Sequence, residues 1–400
     1  RALKLLNAGA DGNNTAVGHQ AGLAMTTGVN NTIVGGQAGD ALTTGSFNTA
    51  LGYLALSTED TTGRNVAIGY QALKTQNAGA DAYNVAVGYF TGKAITTGTA
   101  NTLIGGLAGD ALTIGNQNTV LGYGALSTSV DGDNNTAIGC QALENYEDGD
   151  GNGKNTAVGS NSQSNATTGE FNTSLGSSSM GVGVTTGDHN VALGYSTGTL
   201  LTSGFSNIIL GSFAGDALTA GGENIAIGVL SLSAEDTHGK NVAVGNQALR
   251  NLNAGADGFN TAVGFSAGVA MTTGVQNTIV GSVAGDALTT GSYNTTLGYG
   301  SLSVEDTGSR NTAVGYEALK VQNVDGDAYN TAVGMWAGID LATGLYNTLI
   351  GSLAGDNLTT GDNNIIIGYN TIVASDIENT TIIGTTATTS ALVHGLKQPV

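Results

Sequence analysis

The stretch NTIVGGQAGDALTTGSFNTALG (residues 31–52) returns at residues 277–298 as NTIVGSVAGDALTTGSYNTTLG, with 18 of its 22 letters unchanged. Both copies contain a shorter motif, Asn-[Thr/Val/Ile]-x-[Val/Ile/Leu]-Gly, whose Asn recurs 21 times from Asn14 to Asn364, mostly 17 residues apart. A stretched copy begins at Asn379, and spacings of 17, 17, 17 and 19 residues build a longer period of 70 residues. Such self-similarity predicts a solenoid of about 22 short coils, one per motif.

Each motif is typical of one short strand in a parallel β-solenoid, an all-β fold in which glycine and β-branched residues disfavour helix. We number each coil from its motif Asn, which is position 1. Position 4 is Val, Ile or Leu in every regular coil, so we predict that Val17, Val34 and their equivalents point into the coil. A second interior row is predicted at leucines such as Leu42 and Leu56. The Gly at position 5 predicts a positive φ or a close backbone approach, and the Asn predicts a hydrogen-bonded ladder.

The composition excludes several classes of protein. Gly accounts for 65 of 400 residues and Pro for only 1, without a Gly-X-Y period, which excludes collagen. Thirty acidic residues against 11 basic ones give a net charge of −19, which argues against nucleic acid and anionic membrane surfaces as partners. No run of 18 apolar residues occurs, so no membrane insertion is expected.

The repeat defines the expected domain organisation. Residues 1–384 form one repetitive solenoid, with irregular coils at residues 155–189, and residues 385–400 form a tail that leaves the repeat. The opening RALKLLNAGADGN matches residues 247–259, so we expect the sequence to begin inside a repeat.

Position 3 is also small or apolar, so the strand is apolar on both faces. A strand of this kind requires protein on both sides. Neighbouring copies of the same chain would cover the second face without a different partner protein. We therefore predict a homotrimer whose inter-chain core contains the position-3 residues Ile33, Leu103, Ile209 and Leu349.

The motifs NTAVG, NVAIG, NTAIG and NVALG, each followed by a turn of small residues, resemble the repeats of phage tail fibres and of YadA-type trimeric adhesin heads. The resemblance extends from Asn14 to Gly384. It implies a homotrimer of left-handed parallel β-rolls, extracellular or on a virion, that serves in attachment.

Few residues suggest site chemistry. Asp148, Asp150 and Asn152 match the first half of a calcium loop, although Gly159 stands where the loop's Glu belongs, so a calcium site and a solvated polar loop are both open. No other cofactor is predicted. An aspartate row that includes Asp40 is interpreted as turn-forming. The four histidines lack ligand spacing, and Cys140, at a position held by Tyr in comparable coils, is interpreted as a packed residue.

We predict a non-enzymatic shaft of a trimeric extracellular fibre, most simply a phage tail fibre that spaces or displays a host-binding tip. Its partners would be its own copies and a host or cell-surface receptor. Receptor contacts are expected where the repeat is broken, at residues 160–164, 177–184 and 144–154. One alternative is a bacterial surface adhesin. The other is a monomeric ice-binding solenoid, because Thr recurs at position 2, with Val or Ile in some coils.

Overall fold

The computed structural model describes residues 2–7, 12–147 and 152–385. Within them the chain is a parallel β-solenoid of about 21 coils and contains no helix, as the repeat predicts. A helix with the length and hydropathy to cross a membrane is accordingly not found in these residues.

Almost every strand is three residues long and coincides with positions 2–4 of a coil. The strands are β1 Thr15–Val17, β2 Thr32–Val34, β3 Thr49–Leu51, β4 Val66–Ile68, β5 Val85–Val87, β6 Thr102–Ile104, β7 Thr119–Leu121, β8 Thr136–Ile138, β9 Thr156–Val158, β10 Thr173–Leu175, β11 Val191–Leu193, β12 Ile208–Leu210, β13 Ile225–Ile227, β14 Val242–Val244, β15 Thr261–Val263, β16 Thr278–Val280, β17 Thr295–Leu297, β18 Thr312–Val314, β19 Thr331–Val333, β20 Thr348–Ile350, β21 Ala354–Asp356, β22 Ile365–Ile367, β23 Thr371–Ile372 and β24 Thr381–Ile383.

The chain divides into two compact units, residues 1–207 with 218–220, and residues 208–217 with 221–400. In the first unit, β1 to β11 pair in chain order, every pair parallel and in register. In the second unit, β12 to β20 continue in the same manner to β22 and β24, while β21 and β23 pair separately. Equivalent positions of consecutive coils therefore lie directly next to one another within each unit.

The predicted facing of the strand is wrong. Position 4 points outward, since Val17 is 59% exposed and Leu51 is 44% exposed, whereas Ala50 beside it is 0% exposed. The reason lies in the motif Asn, which points into the coil, as Asn48 does at 1% exposure. Side chains alternate along a strand, so position 3 must share the inward face with position 1.

Positions 3, 9 and 12 fill the coil interior by compensating one another in volume. Where position 3 is Ile33, position 9 is Gly39, and a Cβ added there would come within 2.8 Å of Leu42 and 3.2 Å of Ile33. In the next coil position 3 is Ala50, and position 9 is Leu56, which is fully buried. The predicted second interior row, to which Leu42 and Leu56 belong, is thereby confirmed.

The predicted asparagine ladder is also confirmed. The backbone amide of Asn48 donates to Asn31 Oδ1 at 2.9 Å, and that of Asn65 donates to Asn48 Oδ1 at 3.0 Å. The Asn31 side-chain amide donates to the Gly45 carbonyl at 3.0 Å. The oxygen of each of these buried Asn side chains therefore satisfies a backbone donor of a neighbouring coil, which an apolar residue could not do. Many of the side-chain amides also donate to a turn carbonyl, although those of Asn65, Asn135 and Asn311 have no partner among the described residues.

Position 5 admits only glycine. Gly52 has a φ of +141°, and a Cβ built on it would overlap the backbone carbonyl oxygen of Gly69 in the next coil. Both parts of the prediction for this position, positive φ and close approach, are confirmed.

Candidate functional site

The most extensive candidate surface is the outward face, which we define as the side chains at positions 2 and 4. Position 4 in the first unit is apolar in eleven consecutive coils and includes Val17, Leu121 and Leu175, which are 59%, 46% and 48% exposed. Position 2 is mostly Thr, and at Val191 an apolar side chain is 40% exposed there as well. At about 4.8 Å between strands, this row is roughly 50 Å long within the first unit.

The four residues predicted to form the inter-chain core lie elsewhere. Ile33, Leu103, Ile209 and Leu349 are each 0% exposed within the single chain, because position 3 faces the coil interior. They are therefore core residues of their own coils, and the placement of an inter-chain contact on them is wrong. The side chains available to another molecule are the neighbouring residues of the outward face.

Two columns of positions, one on either side of the strand, carry exposed aromatic side chains in some of their coils. One follows position 6, where the rings of Tyr53, Tyr70 and Tyr89 stack with centroids 5.6 and 5.4 Å apart. The other follows the residue before each motif Asn. There the guanidinium of Arg310 lies 4.8 Å from the ring centre of Tyr293, within the range of a cation–π interaction. The columns widen the exposed apolar strip on both sides of the strand.

Cys140 belongs to the position-6 column. It is exposed, so the interpretation of this thiol as a packed residue is wrong. The position that holds Tyr in comparable coils lies outside the coil interior, as Tyr123 does at 60% exposure.

Sequence reasoning did not single out three buried carboxyl groups. Glu59, Glu235 and Glu305 occupy position 12 and are 0% exposed. Burial raises the pKa of Glu59, although the hydroxyl and the backbone amide of Thr62 donate to its Oε1 and offset part of the effect. A recurring Glu-Asp-Thr at 59–61, 235–237 and 305–307 is the signal that could have drawn attention to them, because the other regular coils carry uncharged residues at that position.

The predicted aspartate row lies at half-buried turn positions. Burial raises the pKa of Asp40, and a hydrogen bond from its own backbone amide offsets part of the rise. This local bond fits the turn-forming interpretation. Of the candidate calcium ligands, Asp148 and Asp150 lie outside the described residues and only Asn152 lies within them, so the calcium site stays a prediction.

The segments proposed for receptor contact are only partly accessible. In residues 160–164, Ser162 and Gln163 are fully buried, and Gln163 Nε2 donates to the buried Ser174 hydroxyl at 2.8 Å. Polar groups here replace the Ala and Leu of other coils. In residues 177–184, Val182 and Val184 are 54% and 53% exposed. Both segments therefore combine buried and exposed residues, since Ser160 and Asn161 of the first segment are exposed as well.

No protein-family model matches the chain, and none of the curated proteins compared with it is significantly similar to it.

Proposed function

We propose that this chain is a structural segment of a homotrimeric extracellular fibre, a phage tail fibre shaft that spaces or displays a host-binding region. The copies meet through the outward face. The observation that carries the proposal is the unbroken apolar row at position 4, whose side chains are exposed or half-buried although the coil interior is already filled by positions 3, 9 and 12. Soluble monomers rarely expose a contiguous apolar patch of more than a few hundred Å².

The repeat itself supports a spacing role. Consecutive coils pair in register through the same three positions, so length follows from the number of coils. A bacterial surface adhesin would use the same coils in the same way. A virion-attachment region encoded with these coils would favour the tail fibre, and a membrane anchor would favour the adhesin.

The first test is the mass in solution. The chain weighs 39.6 kDa, so sedimentation equilibrium or light scattering is expected to give about 119 kDa for the trimer. A stable monomer of 39.6 kDa would overturn the proposal.

The second test uses neighbouring residues on opposite faces of β7. Leu121→Asp places a charge on the outward face, where Leu121 is 46% exposed, and is expected to lower the mass towards that of the monomer while the β-sheet circular dichroism is kept. Val120→Asp places the same charge in the coil interior, where Val120 is 1% exposed, and is expected to unfold the coil. A folded Leu121→Asp variant that keeps the mass of the trimer would contradict assembly through the outward face.

Ice binding is the second candidate. Thr at position 2 lies on the same exposed face as position 4, and both positions are in register from coil to coil. Thr102 and Thr119 are an example of such a pair. Thermal hysteresis of the purified chain distinguishes it. A monomer with thermal hysteresis that Thr119→Leu reduces would favour ice binding, whereas a trimer without it favours the fibre.

The spacer role has its own experiment. Deletion of residues 155–189 removes two whole coils and would join β8 to β11 without a change of register. Within the intact fibre, this deletion is expected to leave host attachment unchanged if the segment is only a spacer. Loss of attachment by a folded trimer would instead assign receptor contact to the irregular coils.

A further inference from the structure

Two of the three buried glutamates, Glu235 and Glu305, differ in the groups that surround them. Gln322 of the following coil donates to Glu305 Oε2 at 2.9 Å, and the backbone amide of Gly308 donates to Oε1 at 2.7 Å. In the coil after Glu235, Leu252 takes the place of that glutamine. The carboxylate of Glu235 accordingly receives long backbone bonds rather than the side-chain amide that Glu305 receives.

These bonds come from the amides of His238, at 3.2 Å to Oε1, and Ala254, at 3.4 Å to Oε2. Glu235 is fully buried, and these two long backbone bonds compensate its carboxylate only in part. A buried carboxylate with such partial compensation gains more from a nearby cation than a solvated one does.

The imidazole of His238 supplies a nitrogen ligand at this point. Its Nδ1 lies 3.6 Å from Glu235 Oε1, and its side chain is 29% exposed while that of Glu235 is 0% exposed. Asp236 contributes a second carboxylate, and the three candidate ligand atoms all lie within 4.8 Å of one another. In the described part of the chain, they are the one group of three such residues that close together.

The donor set indicates the class of metal. Imidazole nitrogen with carboxylate oxygen suits zinc and similar divalent transition metals, whereas calcium and magnesium prefer oxygen alone. A tetrahedral zinc ion holds its ligand atoms roughly 3.4 Å apart, so binding requires the three atoms, which lie within 4.8 Å of one another, to draw closer.

The surroundings favour a cation. Asp257 of the following coil lies near His238, with one oxygen accepting from the Gly239 amide at 3.3 Å and the other paired with Lys240. Glu235, Asp236 and Asp257 together outnumber the one lysine. The local charge without metal is therefore negative at neutral pH.

We propose that Glu235, Asp236 and His238 form a binding site for a zinc-class divalent metal ion. The bound ion would join the buried position 12 to the exposed turn that follows it, and so stabilise this coil. Sequence reasoning did not find the site because the Glu-Asp-x-His spacing brings its ligands together only when the chain turns tightly after position 12.

The chain contains its own controls. Thr62 and Gly308 stand where His238 stands, three residues after the buried Glu. His238→Thr therefore copies an existing coil of the same protein, and Asp236→Asn removes a second ligand from the surface. Thr62→His is the reciprocal variant, since Asp60 is already present beside Glu59. His19→Thr removes an exposed histidine far from the site in sequence.

The experiment titrates the metal-free full-length chain with zinc chloride by calorimetry and with cobalt chloride by visible absorption, which reports tetrahedral coordination. We expect one ion per chain. His238→Thr and Asp236→Asn should each weaken binding by at least about tenfold, the loss typical even of metal-site partners outside the ligands. His19→Thr should bind as wild type does, and Thr62→His should add a second ion. Retention of sheet circular dichroism by each variant separates loss of the site from loss of the fold.

Two results would overturn the proposal. If His238→Thr and Asp236→Asn bind zinc as tightly as the wild type, the metal binds elsewhere. If the wild type binds no metal at millimolar concentration, Glu235 and His238 form only an ion pair. Neither result bears on the trimer, which the mass measurement tests separately.

Discussion

Replacement of Gly52 by alanine tests whether backbone proximity between coils is what restricts position 5 to glycine. The φ of Gly52 is +141°, and an added Cβ would overlap the carbonyl oxygen of Gly69, which is backbone and cannot move aside like a side chain. The strained φ costs about 1–3 kcal/mol. Forcing the two coils apart adds about 1–3 kcal/mol of overpacking. We therefore expect Gly52→Ala to destabilise the coil by about 2–6 kcal/mol.

Gly79 provides the matched control. Its φ is also positive, at +72°, but an added Cβ would meet nothing within 4 Å. Gly79→Ala carries only the conformational cost of a left-handed residue, about 1–2 kcal/mol. The difference between the two variants measures the close approach of the coils.

Hydrogen exchange followed by mass spectrometry is the suitable assay, because a solenoid need not unfold as one cooperative unit. Peptides that cover β3 and β4 report on the coils on either side of the substitution. At 1.4 kcal/mol per factor of ten, Gly52→Ala is expected to accelerate their exchange by about 30-fold or more. If Gly52→Ala and Gly79→Ala accelerate exchange equally, close packing of the coil backbones is not the reason for glycine at position 5.

Three further substitutions test the interior. Asn48→Ala leaves the backbone amide of the next motif Asn without its acceptor and should cost about 1–3 kcal/mol, visible as a lower thermal midpoint; an unchanged midpoint would contradict the ladder. Burial raises the pKa of Glu59 above its unfolded value, so the native state is favoured when Glu59 is protonated, and this stability is lost as the pH rises through the folded-state pKa. In thermal melts Glu59→Gln should therefore gain stability over the wild type as the pH rises above the ordinary pKa of a glutamate, whereas a pH-independent difference would refute the effect of burial. Gly39→Leu should destabilise by about 1–3 kcal/mol in the same melts, although Leu56 holds the equivalent place in the next coil, and Ile33→Ala in the same chain should recover part of the loss; failure to recover would contradict volume compensation.

The repeat was enough to predict the solenoid, the coil boundaries, the Asn ladder and the glycine at position 5. These features follow from local chemistry that every coil repeats. An Asn can satisfy the backbone of the coils beside it, and Gly alone tolerates a carbonyl at van der Waals contact with its Cα. The burial of Leu42 and Leu56 was likewise predicted from the sequence, because a large apolar side chain that recurs among small and polar residues is expected to face the coil interior.

The direction of the strand's faces could not be found from apolar character, because positions 3 and 4 are both apolar. Only the tertiary structure decided it: the buried Asn at position 1 fixes position 3 inside, so Ile33 fills the coil and Val34 faces outward. The narrow coil interior explains why Ala is common at position 3 and why a larger residue there requires Gly39 nearby. The cluster of Glu235, Asp236 and His238 could not be predicted from the sequence for the same reason. Its candidate ligand atoms come close together only through a turn of the folded chain, which no residue pattern specifies by itself.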